Sequence, residues 1–234
     1  MSTAIVTGGT KGIGKAICNV FIKNGLNICV TARNINDLNN LKKEYAKTYP
    51  DRTVHITQVD MSKKTEVLAY TKEISSLNDS IDILVNNAGT FIPGQIINED
   101  DGVLEKLMET NLYSAYHMTR GVINKMIDQK KGHIFNICSV ASFMAYPNGG
   151  SYAISKFAML GLSKSVREEV KEMGIKVTSI MPGATWSNSW EGVDFPLDRL
   201  MKASDVADCI LSAFKLSDSA VVEEIIIRPQ LGDL

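Results

Sequence analysis

Short apolar runs, nearly continuous in Val and Ile, alternate with amphipathic stretches from one end of the chain to the other. A strand that is apolar at almost every position is typical of a sheet covered by helices on both faces. The runs predict strands over Thr3–Thr7, Asn27–Ala32, 53–59, 81–86, 133–138, 176–180 and 222–228. The stretches between them predict helices over 13–23, 35–49, 63–77, 100–128, 151–173 and 204–215.

This alternation predicts a parallel sheet with helices on both faces. Because crossovers between parallel strands are right-handed, we expect a doubly wound, seven-stranded sheet in a single Rossmann-type α/β domain over residues 1–234. Pro50 is expected to end the second helix, while Ser62 and Ser204 are expected to cap the third and the last. The irregular stretch over 182–203 is long enough to be a functional loop, and we expect it to cover the substrate.

The composition excludes several classes of protein. With 44% hydrophobic residues and a net charge of −1 over 234 residues, the chain is neither disordered nor an acidic tail. The lysines and arginines form no polybasic run, so no nucleic acid and no membrane partner is expected. No apolar run approaches the ~18 residues of a membrane span, and no secretion signal is visible, so a cytoplasmic location is expected. The four cysteines and three histidines have no metal-binding spacing, which predicts buried reduced thiols and no metal.

A glycine-rich turn joins the first predicted strand to the first helix, with the sequence Thr7-Gly8-Gly9-Thr10-Lys11-Gly12-Ile13-Gly14. Glycines are needed where a chain turns sharply and where backbone approaches a pyrophosphate, and the following helix N-terminus attracts phosphate. The turn therefore predicts a dinucleotide site, the alternative being a plain strand-to-helix turn. A P-loop is disfavoured because Lys15-Ala16 follows Gly14, where a P-loop has Lys-Ser or Lys-Thr.

Two basic residues predict which nicotinamide cofactor is used. An acid after the second strand would hold the ribose 2′-hydroxyl of NAD, whereas a base suits the 2′-phosphate of NADP. Here the strand ends at Arg33, and Lys11 in the glycine-rich turn adds a second positive charge. The nearest acid, Asp37, falls on the next predicted helix. The pattern predicts NADP(H), the alternative being two solvated surface cations.

Tyr152 and Lys156 are four residues apart, which places both on one face of a predicted helix. A phenol with a pKa of about 10 is a poor proton shuttle at neutral pH, and a nearby ammonium favours the phenolate. Lowering that pKa to about 7 needs about 4 kcal/mol, whereas an exposed ion pair contributes about 1 kcal/mol or less. A desolvated pocket and the positive charge of an oxidised nicotinamide would have to supply the rest.

Six motifs, in order along the chain, resemble those of the short-chain dehydrogenase/reductase family and span essentially the whole sequence. They are Thr7-Gly8-x-x-x-Gly12-x-Gly14, Asp60, Asn86-Asn87-Ala88-Gly89, Asn111, Ser139 with Tyr152-x-x-x-Lys156, and Pro182-Gly183. Ser139 precedes Tyr152 by the thirteen residues usual in the family. The resemblance implies a nicotinamide cofactor and an oxidoreductase that acts on a small-molecule carbonyl or alcohol.

The resemblance also implies a role for each matching residue. Tyr152 would be the general acid in reduction and the general base in oxidation, and Lys156 would lower its pKa and bind the nicotinamide ribose. Ser139 would polarise the substrate oxygen, and Asn111 would hold a water that relays protons to Lys156. The residues that would bind the cofactor, besides Tyr152 and Lys156, are Gly8, Thr10, Lys11, Gly12, Ile13, Gly14, Arg33, Asp60, Met61, Asn87, Ala88, Gly89, Pro182, Gly183, Thr185 and Ser187.

These assignments have alternatives. Asn111 could be an ordinary polar helix residue, and Asp60 could cap the third helix with Ser62. The ending Ile225-Ile226-Ile227-Arg228-Pro229-Gln230 lacks the Asp-Gly-Gly turn common in the family. That ending favours a branch acting on small 3-hydroxy acids and related carbonyls over a 3-oxoacyl-carrier-protein reductase. A non-catalytic NADP(H)-binding sensor or scaffold is a further alternative, although such proteins usually lack the tyrosine or the lysine.

The predicted loops at the catalytic end are rich in large apolar side chains, which predicts an apolar substrate pocket or the packed core of a lid. These residues are Phe91, Phe143, Met144, Tyr146, Trp186 and Trp190. Arg199 is the one candidate for binding a substrate carboxylate. The helices over 100–128 and 151–173 carry apolar residues on more than one side, which predicts a two-fold interface and a homo-oligomer, either a dimer or a tetramer.

Overall fold

A computed structural model describes residues 2–77, 79–187 and 199–233, and its centre is one parallel sheet of seven strands. The strands are β1 Thr3–Thr7, β2 Asn27–Ala32, β3 Val54–Gln58, β4 Ile83–Asn86, β5 Gly132–Ile137, β6 Ile175–Pro182 and β7 Glu224–Ile227. Their order is β3-β2-β1-β4-β5-β6-β7, and every pairing is parallel. The predicted doubly wound sheet is confirmed.

The central strands are buried on both faces because alternate side chains enter two different cores. In β1, Ala4 and Val6 pack into one core and Ile5 into the other, and all three are fully buried. In β2, Ile28 joins the first core and Cys29 the second. Since successive side chains of a strand point to opposite faces, every position needs an apolar residue, which explains the nearly continuous apolar runs.

Helices form a layer on each face of the sheet. They are α1 Gly12–Lys23, α2 Ile35–Thr48, α3 Lys64–Leu77, α4 Val103–Met108, α5 Ser114–Gln129, α6 Gly150–Val170 and α7 Ala203–Phe214. Helices α1, α2 and α7 contribute to the first core, and α3, α5 and α6 contribute to the second. Across the described ranges, no helix combines the length and apolarity needed to cross a membrane.

The predicted continuous helix over 100–128 is wrong in one respect. A π-helical turn, Glu109–Tyr113, separates α4 from α5. Such a turn holds one more residue than an α-helical turn, and π turns are frequent at functional sites. Hydrophobic periodicity does not show a single inserted residue, which is why the sequence did not predict the interruption. Asn111 lies in this turn.

Other differences from the predictions are local. Ser204 does not cap α7, because the helix begins one residue earlier with Lys202 as its N-cap, and the Asp205 carboxylate accepts the Lys202 N–H at 3.1 Å. The Ser62 hydroxyl donates to Asp60 at 2.8 Å. The helix predicted over 151–173 ends at Val170, and a 3₁₀ turn follows it. Of the predicted loop 182–203, residues 188–198 lie outside the described residues.

Candidate active site

The glycine-rich turn between β1 and α1 is shaped by glycines. Gly8 has φ +66° and Gly12 has φ +50°, a left-handed backbone that other residues rarely adopt. A Cβ at Gly14 would overlap the carbonyl oxygen of Gly8, so the turn closes on itself only without that atom. Lys11, the N-cap of α1, makes no side-chain capping hydrogen bond. The turn and the helix N-terminus thus offer backbone N–H groups to an anion such as a pyrophosphate.

Thr7 and Asn87 hold this turn against the end of β4. The Thr7 hydroxyl oxygen accepts the backbone N–H groups of Asn87 and Ala88, both at 3.0 Å. The Asn87 side-chain amide donates to the carbonyl oxygens of Thr7 at 2.8 Å and Gly8 at 3.1 Å. These bonds lie where β1 and β4 meet, which is the switch point of the doubly wound sheet and the usual ligand position in such folds. Sequence reasoning missed the role of Thr7, since only strand pairing brings it to Asn87.

Asp60 and Met61 follow β3, next to the end of β2 that leads into Arg33. Asp60 accepts the Ser62 N–H at 3.1 Å and the Ser62 hydroxyl at 2.8 Å. Burial by itself would raise the pKa of Asp60, but these bonds and the positive charges of Lys63 and Arg33 hold that pKa below its usual value. Asp60 and Ser62 therefore form a hydrogen-bonded turn before α3. The contact between the charged Asp60 and an adenine stays a prediction.

The two basic residues proposed for the 2′-phosphate differ in their surroundings. Lys11 Nζ lies 3.3 Å from a carboxylate oxygen of Asp37, with side-chain exposures of 59% and 29%. A pair this exposed contributes about 1 kcal/mol or less, so an anion can compete for the lysine. The Arg33 carbonyl oxygen accepts from Gln58 Nε2 at 2.9 Å, which fixes the backbone at this corner. Arg33 forms no ion pair with any described residue.

Three predicted catalytic residues converge where β5 ends. Ser139 follows this strand closely, and α6 places Tyr152 and Lys156 one turn apart. Lys156 Nζ donates to the Ile137 carbonyl oxygen at 2.9 Å and lies 5.7 Å from the centroid of the Tyr152 ring. Lys156 is only 6% exposed, and its burial lowers its pKa. Burial raises the pKa of Tyr152 to about 12, and a hydrogen bond with Ser139 opposes that rise in part. At neutral pH Tyr152 is therefore a protonated phenol that can donate.

Asn111 connects the loop after β4 to α6. Its side-chain oxygen accepts the Thr90 N–H at 2.7 Å, and its amide donates to the Thr90 carbonyl oxygen at 3.0 Å. The same amide donates to the Ser155 hydroxyl oxygen at 2.9 Å, and that hydroxyl donates to the Tyr152 carbonyl oxygen at 2.7 Å. Asn111 is 1% exposed, so it is not an ordinary surface polar residue.

Gly89 lies next to both Asn111 and Lys156. A Cβ at Gly89 would lie 3.2 Å from Asn111 Oδ1 and 3.7 Å from Lys156 Nζ. Both polar groups therefore border the same position. The proton relay between them stays a prediction.

Glu99, which sequence reasoning missed, contacts the start of α6. Its carboxylate accepts both the backbone N–H of Ser151, at 2.9 Å, and the Ser151 hydroxyl. Gly150 has φ +37°, and a Cβ there would overlap the Glu99 carboxylate. A carboxylate at a helix N-terminus accepts hydrogen bonds from free N–H groups, and its negative charge interacts favourably with the positive end of the helix dipole. Glu99 thus fixes the backbone of the residue that precedes Tyr152. No local spacing signals a contact across 52 residues.

The loop after β6 crosses the site. Pro182 pairs with Ile227 of β7, and the Thr185 hydroxyl donates to the Gly183 carbonyl oxygen at 2.9 Å. A Cβ at Gly12 would lie 3.1 Å from Ser187 Cβ, so this loop reaches the glycine-rich turn. Gly183, Thr185 and Ser187 are thus brought toward the predicted cofactor residues of β1 and α1, where Thr10 and Ile13 are half-buried.

An exposed apolar side chain, that of Phe91, borders Tyr152. The Phe91 ring contacts the Tyr152 ring edge-on, with centroids 4.8 Å apart. Phe91, Phe143, Met144 and Trp186 are between 37% and 44% exposed, which favours an apolar surface for substrate over a packed lid core. Burial raises the pKa of Tyr146 to about 12, and interactions with the Tyr152 and Asp233 side chains add to that rise. Trp190 lies outside the described residues.

Within the described part of the chain, no three His, Cys, Asp or Glu residues cluster as metal ligands would. All four cysteines are free thiols. Cys18, Cys29 and Cys138 are buried, as predicted, whereas Cys209 is half-buried.

The short chain dehydrogenase family model matches residues 2–194. The chain therefore belongs to the short chain dehydrogenase family and is an oxidoreductase of that family, which confirms the resemblance inferred from its motifs.

Individual relatives agree with this assignment. The chain is 32% identical to the sepiapterin reductase of Chlorobaculum tepidum, over 98% of this chain and 97% of that protein. It is 34% identical to 3beta-hydroxysteroid dehydrogenase 2 of Eggerthella lenta, over 85% of this chain and 76% of that protein. Among solved structures, a metagenomic short-chain oxidoreductase in complex with NADP is 26% identical, with a TM-score of 0.85 over 98% of this chain and 97% of that one.

Proposed function

We propose that this protein is an NADP(H)-dependent oxidoreductase that interconverts a carbonyl group and a secondary alcohol. The observation that carries the proposal is the convergence of Ser139, Tyr152 and Lys156 at the end of β5, with the lysine almost fully buried. Burial strengthens the electrostatic influence of an ammonium on a neighbouring phenol.

Tyr152 is proposed as the proton donor in reduction. Its raised pKa keeps the phenol protonated at neutral pH, so it can donate to a carbonyl oxygen that becomes negatively charged. Ser139 donates a second hydrogen bond to that oxygen, and removing one such donor from an enzyme typically lowers the rate by about 100-fold or more. In oxidation Tyr152 must first lose its proton, and the charges of Lys156 and of an oxidised nicotinamide favour that loss.

The residues around the glycine-rich turn fit a dinucleotide. The space left by the missing Cβ atoms and the uncapped start of α1 suit a pyrophosphate, and Asp60 and Asn87 are proposed to contact the adenosine half. When bound, the nicotinamide supplies or accepts the hydride. Arg33 and Lys11 favour the form with a 2′-phosphate, since guanidinium and ammonium groups bind phosphate.

We propose a substrate whose carbonyl carries an apolar or ring-containing group. The Phe91 ring against Tyr152 supports this choice, as do the exposed Phe143, Met144 and Trp186 in the loops that follow β5 and β6. The names of two relatives, a sepiapterin reductase and a hydroxysteroid dehydrogenase, refer to ring-containing substrates. The 3-oxo acids that correspond to small 3-hydroxy acids, 3-oxoacyl-carrier-protein thioesters and polar ketones are the comparison substrates.

The test is NADPH oxidation measured with a panel of these carbonyl compounds, in wild type and in Tyr152→Phe. The variant removes the transferable proton but keeps the ring, so turnover should fall by at least about 100-fold while NADPH affinity stays nearly unchanged. Tyr49→Phe, at the end of α2, is the matched control and should keep wild-type turnover. Tyr152→Phe activity above about a tenth of wild type would refute the acid assignment. Wild-type NADPH binding without turnover of any compound would favour the sensor alternative.

A further inference from the structure

The C-terminal segment, residues 228–233, folds back over the end of β6. It begins directly after β7, which ends at Ile227. The Gly232 N–H donates to the Pro229 carbonyl oxygen at 2.9 Å, and Gly232 has φ +87°, so the chain reverses in a tight turn. The reversal brings the Asp233 side chain to the loop that follows β6.

Both carboxylate oxygens of Asp233 have partners. One oxygen accepts the backbone N–H of Ala184 at 3.2 Å, and the other accepts from Arg228 Nε at 2.6 Å. The Asp233 side chain is 22% exposed, so this ion pair is partly shielded from water. Arg228 thus orients the carboxylate, and the carboxylate fixes the Ala184 backbone.

Gly183 shows that this approach is built into the loop. A Cβ at Gly183 would overlap the nearer Asp233 oxygen and lie 3.1 Å from the Pro229 ring. Gly183 is not among the glycines with positive φ. A glycine is therefore required here because a side chain would occupy the place of the Asp233 carboxylate. The backbone conformation of Gly183 does not itself require a glycine.

The contact between Asp233 and Ala184 lies at the start of the segment that reaches the predicted cofactor-binding residues. Thr185 follows Ala184 directly, and its hydroxyl donates to the Gly183 carbonyl oxygen at 2.9 Å. Two residues later, Ser187 lies against Gly12. The Asp233 charge also contributes to the raised pKa of Tyr146, which lies in the loop between β5 and α6.

We propose that Asp233 is a positioning residue: oriented by Arg228, its carboxylate holds the Gly183–Ala184 backbone where Thr185 and Ser187 can bind the nicotinamide half of the cofactor. This inference rests on the proposed function. Because Arg33 and Asp60 lie at the other end of the predicted cofactor site, loss of the Asp233 carboxylate should affect the nicotinamide half and leave the adenosine half unaffected.

The test compares two ligands by calorimetry: NADPH, and adenosine 2′,5′-bisphosphate, which lacks the nicotinamide. Asp233→Ala should weaken NADPH binding by about tenfold, the size of a lost charge-assisted hydrogen bond, and should change binding of the bisphosphate by less than about twofold. Asp233→Asn keeps an oxygen that can accept the Ala184 N–H and should recover most of the NADPH affinity. Asp218→Ala, an exposed carboxylate between α7 and β7, is the matched control and should bind both ligands as wild type does.

Each outcome bears on the proposal. If Asp233→Ala binds NADPH as tightly as wild type does, or loses both ligands equally together with a lower melting temperature, the positioning role is overturned. An Asp233→Asn variant that folds but recovers no NADPH affinity contradicts the role of the Ala184 hydrogen bond. If the wild-type protein binds no NADPH, the proposed function itself fails, a result separate from any difference between variants.

Discussion

His133 lies inside the sheet on β5, and we expect acid to destabilise the protein through it. Its Nε2 lies 2.7 Å from the Thr178 hydroxyl oxygen, and that hydroxyl donates its only hydrogen to the Val222 carbonyl oxygen at 2.6 Å. The network therefore assigns the imidazole hydrogen to Nε2. Nδ1 is buried and has no hydrogen-bond partner in the described part of the chain. A second proton would create a buried charge with an unpaired N–H, and burial lowers the pKa of His133 to about 3.

The size of the effect follows from proton linkage. In the unfolded chain the histidine returns to its ordinary pKa of 6.5. Between that value and about 3, only the unfolded chain binds the proton, so the free energy of unfolding falls by about 1.4 kcal/mol for each pH unit. The stability that depends on neutral His133 is fully present above pH 6.5 and is lost as the pH falls below that value. From pH 7 to pH 5 it amounts to about 2 kcal/mol.

The assay is urea unfolding of wild type and His133→Gln at pH 7 and pH 5, at one protein concentration. Glutamine can still donate to Thr178 but does not titrate. The difference in unfolding free energy between the two proteins should therefore shift by about 2 kcal/mol in favour of the variant at the lower pH. The other titrating groups cancel in this comparison. A difference that stays the same at both pH values would refute the inference that folded His133 is neutral.

The remaining predictions concern the cofactor and the assembly. Arg33→Ala should weaken NADPH binding by about tenfold or more and leave NADH nearly unchanged, because only NADPH offers a phosphate to the guanidinium; equal losses in a fluorescence titration would contradict the assignment. Ile154 and Phe157 on α6 are 41% and 46% exposed, as is typical of side chains that a second subunit covers. Light scattering should give two or four times the 25.7 kDa chain mass, and Phe157→Glu should lower it; a wild-type monomer would count against the interface.

Most of the fold could be predicted because its signals are local. Strand and helix positions follow from the periodicity of neighbouring residues, and most predicted boundaries lie within about two residues of those in the structure. The exceptions are also instructive. The π turn at Glu109–Tyr113 and the start of α7 at Ala203 depend on single residues and on backbone contacts that periodicity does not report.

The candidate site was predictable where its residues are close in sequence. Tyr152 and Lys156 are four residues apart, and residues at this spacing share one face of a helix. The glycine-rich turn is one continuous segment. Glu99 and Asp233 left no such signal, because each contacts a residue about fifty positions away. The local sequence around a loop carboxylate is the same whether that carboxylate is solvated or accepts a hydrogen bond from a distant backbone amide.

The sequence by itself determined the order of strands and helices, the family, and the residue types present at the catalytic end, since all of these depend on spacing along the chain. Only the tertiary structure decided how the pKa values of the titratable groups are shifted. The raised pKa of Tyr152, the lowered pKa of Lys156 and the neutral His133 all arise from burial by segments distant in sequence. Desolvation is a property of the packed chain, so no local pattern of residues can report it.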